Sequence, residues 1–321
     1  MKQIVIGIDL GGTIIKTGIV QDGKIIAFDS IKSDSENGLG RKLPEVETCI
    51  KKLLDERQIS SIAGVGISFP GLVDSSRSIV LSTNAKYDDA PGLDLKTWAQ
   101  RCFGGKFYID NDARMAAVGE WQYGAGKNCD NLVMMTIGTG IGTGVVMQGK
   151  ILTGAHFQAG SLGGHLIVDY KGRCCSCGSI GCVEALSSSF FLDDIIRENQ
   201  QINKDFYRQY APVDFKKLFD LFREDNPDAK KICYDCMDVW SAGIVNLIHA
   251  YDPEVIVLGG GVTKSADIII PYIQQRVDSL TWTPWGKVKI MESQLKDDAG
   301  VMGAAYYILK LHGLPHCRNR E

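Results

Sequence analysis

The sequence predicts an α/β protein made of two similar lobes, and three observations carry that expectation. A strand, a glycine-rich turn and a returning strand open the chain as IGIDLGGTIIKTGIV, and the same device recurs as MMTIGTGIGTGVVM. Apolar runs of strand length alternate with stretches of helical period, the pattern of helices packed on the faces of a sheet. The length, 321 residues with 45% hydrophobic and 23% charged side chains, supplies core material for one large domain or two lobes of ordinary size. The repeated hairpin decides for two lobes from a duplicated plan.

In order along the chain, IVIGID at 4–9 reads as the first strand and breaks at Leu10-Gly11-Gly12-Thr13. IIKTGIV at 14–20 is the second strand and GKIIAFDSI the third. Residues 45–57 carry helical periodicity, IAGVGIS at 62–68 reads as a buried strand, and an apolar stretch at 106–109 leads through Asp110-Asn111-Asp112 into a helix over 113–123. NLVMMTIG at 131–138, the turn TGIG and the strand TGVVMQG then restart the pattern. The segment 154–184 is irregular and rich in Gly and Cys, and 187–251 is mostly helical. VIVLGGG at 255–261 is a last buried strand, followed by a helix near 265–280 and a C-terminal helix in 297–313 that is expected to return to the first lobe. The expected division is 1–112 plus about 300–321 for one lobe and 113–299 for the other, joined by crossing elements.

Lys plus Arg number 35 against 38 Asp plus Glu, a formal net charge of -3, and no basic block stands out. A nucleic-acid partner is therefore not favoured. No apolar stretch approaches the ~20 residues of a spanning helix. The N-terminal MKQIVIGIDLGG meets Asp9 too early for a signal-peptide core. A soluble, cytoplasmic protein is expected.

Asp9-Leu10-Gly11-Gly12-Thr13 lies between two strands, so it is neither a Walker A loop nor a Rossmann fingerprint, both of which open a helix. Glycines in such a turn let backbone N–H groups approach a phosphate, and Asp9 is suited to a hydrated Mg²⁺. An ordinary tight hairpin is the plain alternative for one such turn. Gly138-Thr139-Gly140 repeats it, and two glycine hairpins make a clamp for a nucleotide's phosphates. Gly259-Gly260-Gly261, after a buried strand, is a weaker signal for a flat ring lying against backbone. Asp110-Asn111-Asp112 stands at a strand end before a helix, where one residue is expected to cap the helix. Three polar side chains exceed what a cap needs, and an Asp there can accept the proton of an alcohol.

Ten cysteines in a long chain without an export signal do not read as a disulfide framework. Cys175, Cys177 and Cys182 on a glycine-turned loop, with His165 ten residues earlier, give a Cys₃His set that closes a tetrahedral zinc sphere. Such a Zn²⁺ is structural and fixes the irregular segment. Cys174 reads as a bystander, and Cys233 and Cys236 as core residues of a helix.

These motifs together resemble the ROK family of sugar kinases and repressors, end to end. The likeness is carried by IGIDLGGTIIKTGIV, GISFPGLVD, IDNDARMAAVGEW, TIGTGIGTGVVMQGKILTGAHFQAGSLGGH, CSCGSIGCVEALSS and PEVIVLGGGV. The resemblance implies two ribonuclease-H-like lobes with an interlobe cleft, the actin-like ATPase fold. It also implies ATP-dependent phosphorylation of a hexose or N-acetylhexosamine, and assembly as a homodimer or homotetramer. By motif, it implies Asp112 as catalytic base. Asn111, Glu184, His165, Gly71 and Thr83 then contact the sugar, with His165 also a zinc ligand. Asp9, Gly11, Gly12, Thr13, Gly138, Thr139 and Gly140 hold the phosphates, and Gly259, Gly260 and Gly261 the adenosine. The repressors of the family carry a winged-helix module before the first hairpin, which here begins at residue 4, so a DNA-binding role is not expected.

One departure stands out. Many family kinases carry a glutamate three residues before the zinc histidine, and here Ala159-Gly160-Ser161-Leu162-Gly163-Gly164-His165 has no carboxylate. Leu162 takes the glutamate's place in an ungapped alignment. A carboxylate accepting two sugar hydroxyls contributes roughly 1.5–3 kcal/mol per bond, so its loss is expected to change which sugar is preferred. A catalytically silent, sugar-binding regulator of the same fold is the alternative reading. The retained Asp112 and both hairpins oppose it.

Overall fold

Alternation of side chains decides the first sheet. The computed structural model describes residues 3–83, 85–199 and 201–313. In it β1 (Ile4–Leu10) sends Ile6, Ile8 and Leu10 into one buried cluster and Val5 into another, because successive strand side chains point to opposite faces. The chain continues through β2 (Ile14–Gln21), β3 (Lys24–Lys32), α1 (Leu43–Glu56), β4 (Gly64–Phe69), β5 (Gly71–Asp74), β6 (Ile79–Thr83), α2 (Leu95–Phe103), β7 (Lys106–Asn111) and α3 (Asp112–Tyr123). It goes on through β8 (Leu132–Ile137), β9 (Ile141–Met147), β10 (Lys150–Ile151), α4 (Val183–Ser187), α5 (Leu192–Glu198), α6 (Phe206–Tyr210), α7 (Phe215–Arg223) and α8 (Pro227–Tyr251). β11 (Val255–Gly259), α9 (Ala266–Leu280), β12 (Lys289–Glu292) and α10 (Ala299–Leu311) complete the described chain.

Two five-stranded sheets result, in the orders β3-β2-β1-β4-β7 and β10-β9-β8-β11-β12. β1 and β2 pair antiparallel from Ile4↔Gln21 to Leu10↔Ile15, which fixes Gly11 to Thr13 as the turn. β4 lies parallel to both β1 and β7, and β11 parallel to both β8 and β12. The inner strands β4, β8 and β11 are buried almost throughout, as strands covered on both faces must be, while β7 and β12 at the sheet edges are partly exposed.

By packing, one unit comprises the chain up to Cys129, Gly144–Ser161 and the part from Gln294 on. The other comprises Asp130–Thr143 and Leu162–Ser293. This differs from the expected division at 112. The reason is α3, which lies against α10 backbone to backbone: a Cβ on Gly119 or Gly303 would run into the carbonyl oxygens of Ala299 and Met115. Glu120, fully buried, holds the same junction by accepting the N–H groups of Ala125, Gln294 and Leu295 at 2.7, 3.1 and 2.7 Å. α10 does return to the first unit, where Val301, Met302, Ala305 and Ile308 cover the face of the sheet that carries Val5 and Val20. The expected span to 321 lies, beyond 313, outside the described residues.

In the second unit the helical stretch breaks, among the described residues, into the four helices α5 to α8, with α8 as its spine. Asn226 caps α8 by accepting from Ala229 N at 3.0 Å, and Pro227 occupies its first turn. Cys233 and Cys236 are fully buried on α8, as the helical spacing predicts, and burial pushes both thiols up, Cys233 to about 12. No helix among the described residues is long and apolar enough to cross a membrane.

Candidate active site

The end of β7 turns straight into α3, and its three polar residues divide the work. Asp110 is fully buried and pairs with the buried guanidinium of Arg114 at 2.7 Å, a bond internal to the scaffold. Asn111 is the cap, its Oδ1 accepting the N–H of Arg114 at 3.2 Å. Asp112 begins the helix. Its Oδ1 accepts the N–H of Ala113 at 2.8 Å and the Nδ2 of Asn111 at 3.0 Å, and among the described residues nothing donates to Oδ2. Burial first, and then the negative charge of Asp9, push the Asp112 carboxyl up to about 6; the Ala113 N–H, Lys86 and Asn111 pull the other way. Asn111 Nδ2 also donates to Gly71 O at 3.1 Å, and Gly71 pairs with Thr83 across β5 and β6. The structure thus brings Gly71, Thr83, Asn111 and Asp112 together. Thr83 turns its hydroxyl to Asp88 Oδ1 at 2.8 Å.

In the same unit Asp9, one residue before the end of β1, stands beside Ser68 of β4, whose hydroxyl donates to Asp9 Oδ1 at 2.6 Å. Burial raises the Asp9 carboxyl, against the pull of Ser68 and Lys16. Gly300 at the start of α10 leaves the room: a Cβ there would stand 2.7 Å from Asp9 Cγ. The hairpin turn is held from outside. Tyr87 donates its hydroxyl to Gly11 O at 2.8 Å, and Ser33 and Ser35 donate theirs to Gly12 O at 2.5 and 3.0 Å. Thr13 is exposed at the tip. Gly11 uses its N–H inside the turn, on Asp9 O and Ile14 O at 3.2 and 3.1 Å, which leaves the N–H groups of Gly12 and Thr13 for a phosphate. A half-buried carboxylate with a single hydroxyl donor suits the hydrated Mg²⁺ that accompanies a nucleotide.

The second unit holds the cysteine loop. The ligand atoms of His165, Cys175, Cys177 and Cys182 all lie within 4.8 Å of one another. Tetrahedral zinc, with Zn–S of about 2.3 Å and Zn–N of about 2.0–2.1 Å, sets sulfurs about 3.8 Å apart and sulfur and nitrogen about 3.6 Å apart. Cys177 and Cys182 Sγ are 3.8 Å apart, and Cys175 Sγ is 3.6 Å from His165 Nδ1. The donor set fits zinc, with Nδ1 as the ring ligand. Bridges between Ile167 and Cys182 and between Cys174 and Ile180 fold the loop over this cluster, and Cys174 itself is exposed. Burial holds the Cys182 thiol up at about 12, so a metal must displace that proton.

Also in the second unit, the two remaining glycine segments meet. Gly260 follows β11 in a conformation open only to glycine, φ 88 and ψ 176, with its α-carbon face against the backbone of Ile137, the residue before Gly138. Thr263 locks the turn by donating its hydroxyl to Gly260 O at 2.8 Å. Gly259 is buried and Gly261 is open. Glu184 of α4 accepts the N–H of Ile141 on Oε2 at 2.7 Å, and a Cβ on Gly140 would stand 2.5 Å from the same oxygen. Ser189 and Phe190 donate their N–H groups to Gly138 O and Thr139 O at 3.1 and 3.0 Å. The segment just after the cysteine loop is therefore bonded directly to the second hairpin.

Sequence reasoning missed Ser68, Lys86, Gly300 and the capping role of Asn111 as distinct from its neighbours. A Ser at the end of the apolar strand GVGISF was the available signal for Ser68. Lys86 and Gly300 act through packing across long stretches of chain and left no local signal.

Two α/β units, each opened by a glycine-turned strand pair, are the plan of the actin-like ATPase fold. The chain belongs to the ROK family, whose profile matches residues 5–310. It is 32% identical over 314 residues to a glucokinase of Thermotoga maritima, covering 96% of this chain and 98% of that one. A crystal structure of a ROK family glucokinase from Streptomyces griseus, in complex with glucose and AMPPNP, superposes with a TM-score of 0.81 at 25% identity, over 96% of this chain and 99% of that one. The xylose repressor of Bacillus spizizenii is 27% identical, over 95% of this chain and 77% of the repressor.

Proposed function

We propose that this chain transfers the γ-phosphoryl group of ATP to a hydroxyl of a hexose or N-acetylhexosamine, with Asp112 as general base. The chain is an ATP-dependent sugar kinase by its family and its glucokinase relatives; the acceptor and the residue roles are the proposal. One observation carries it. Asp112 is pinned through Oδ1, keeps Oδ2 for an incoming proton, and has a carboxyl pushed up to about 6. A base near the working pH is both ionised and strong enough to accept a proton.

The sugar hydroxyl gives its proton to Asp112 Oδ2 as its oxygen attacks the γ-phosphorus, and ADP leaves. Within the first unit Asn111, Gly71 and Thr83 are the sugar contacts of this proposal, and within the second Glu184 and His165. Asp9 would hold the hydrated Mg²⁺ that accompanies ATP; Gly11 closes the turn through its own N–H, bonded to Asp9 O and Ile14 O, and Gly12 and Thr13 offer backbone N–H groups to phosphate. In the second unit Gly138 closes its turn by an N–H bond to Gly140 O at 3.0 Å, Thr139 and Gly140 offer N–H groups to phosphate, and Gly259, Gly260 and Gly261 take the adenosine. Zinc bound by His165, Cys175, Cys177 and Cys182 supplies structure and no chemistry; those residues hold the loop that presents His165 and leads into Glu184.

ADP release, measured with glucose, mannose, fructose, N-acetylglucosamine, N-acetylmannosamine and glucosides, tests the reading. Turnover on at least one sugar supports it. Nucleotide or sugar binding without turnover on any of them would support the silent regulator instead.

A further inference from the structure

We propose that Lys86 binds the transferring phosphoryl group and is a further catalytic residue of this site. The inference rests on the sugar kinase reading above. Lys86 lies in the segment between β6 and α2, next to Tyr87, which is fully buried and fastened by its hydroxyl to Gly11 O at 2.8 Å. That anchor lays the lysine stem across the first hairpin. A Cβ on Gly12 would stand 2.6 Å from Lys86 Cε and 3.1 Å from Nζ, so the ammonium rests on the turn that the phosphate is expected to occupy. Gly12 is the residue that makes this possible, since any side chain there would displace the lysine.

The charge arithmetic points the same way. Lys86 is half-buried, and among the described residues it has no ion pair and no hydrogen-bond acceptor. Two other cations near this hairpin are matched, Lys16 by Asp297 and Lys42 by Asp34 and Glu45, while Lys32, opposite Ile14, is exposed to solvent. A partly desolvated ammonium without an anion is costly, and it is held here by the Tyr87 anchor. Its field reaches Asp112, the other group at the reaction centre. An unmatched cation beside a glycine turn and a base has one chemical complement, a phosphoryl group whose oxygens gain charge during transfer. A lysine serves such a group as a point charge.

Lys86→Met and Lys86→Arg in the full chain test this, on the sugar found to be turned over. Lys86→Met is expected to lower kcat by about 10²-fold or more at the top of the pH profile, the usual range for removing one charge stabiliser. Sugar affinity measured without nucleotide should stay within about twofold, which shows an intact fold, and Lys86→Arg should recover at least about tenfold of the loss. A kcat for Lys86→Met within about threefold of wild type overturns the inference. So does full recovery of kcat above pH 8, which would make Lys86 only a neighbour that keeps Asp112 ionised. Asp112→Asn run in parallel separates the two levels. If it is inactive while Lys86→Met is active, this inference alone fails; if Asp112→Asn is itself active, the underlying mechanism fails.

Discussion

Asn111 donates its side-chain amide to Asp112 Oδ1 at 3.0 Å, while its own carbonyl oxygen caps the helix that Asp112 begins. One residue therefore sets both the start of α3 and the direction of the carboxylate on it. The third contact, to Gly71 O at 3.1 Å, ties that pair to the β5–β6 hairpin.

This arrangement separates capping from orientation. Asn111→Asp keeps a capping acceptor, so thermal stability should change by no more than about 1 kcal/mol. It loses both donated bonds and places a second carboxylate beside Asp112, which raises the Asp112 carboxyl further. Activity at pH 7 is expected to fall at least about tenfold and to be partly regained at higher pH. A variant with a wild-type pH profile would show that Asn111 does not orient the base.

The acid limb of the wild-type pH profile follows from the same carboxyl. Asp112 must be ionised to accept a proton, and burial pushes it up to about 6. Activity should therefore rise with pH through about 6 and then level off, where an unperturbed aspartate would give a limb near 4. An acid limb at pH 4 in kcat would remove Asp112 from the rate equation.

Metal content tests the cysteine loop. Freshly purified protein is expected to hold close to one zinc per chain. Cys177→Ser should lose the metal and lower the melting temperature, and sugar phosphorylation should fall with it, because the same loop presents His165 and leads to Glu184. Active, freshly prepared protein without zinc would take the site out of the account. The matching spacings of 3.8 and 3.6 Å argue for the metal.

Much of this site was legible in the sequence because glycine and cysteine leave local marks. The two hairpins, the strand before Asp110 and the cysteine spacing each declare themselves within a dozen residues. The β5–β6 pair did not, since its strands are short, partly exposed and without clear alternation; α2 did carry a signal, with Asp94 as its cap and Leu95, Trp98 and Ala99 at helical spacing. The unit boundary was misplaced at 112 because helix-on-helix contact through Gly119 and Gly303 spans far more chain than any local pattern can report. Lys86 shows the same limit: a lysine in a polar loop carries no sign that it lies over Gly12.

Leu162 marks the departure from the family pattern, and the structure makes it testable. It is 46% exposed with ordinary backbone angles, so a glutamate there has room. The following glycines are fixed, Gly163 by its N–H to Thr143 Oγ1 at 2.8 Å and Gly164 by close contact with the Ile141 carbonyl. Leu162→Glu is expected to fold normally and to move preference toward glucose or a common N-acetylhexosamine by a few kcal/mol at most. Wild type should use plain glucose poorly, with the deficit in kcat/KM. High wild-type efficiency on glucose would show that the missing carboxylate has no bearing on specificity.

The central claim is that Asp112 takes the hydroxyl proton, and Asp112→Asn addresses it most directly. The amide keeps the shape of the carboxylate but cannot accept the proton. Fold loss is not a concern. A carboxyl raised in the folded state costs stability once pH exceeds its folded value of about 6, so the variant should melt no lower than wild type at pH 8. Steady-state ADP release at that pH, on the best sugar, should show kcat reduced by at least about 10²-fold with sugar affinity little changed. A variant that keeps a tenth or more of wild-type kcat, by the same assay, would contradict the account.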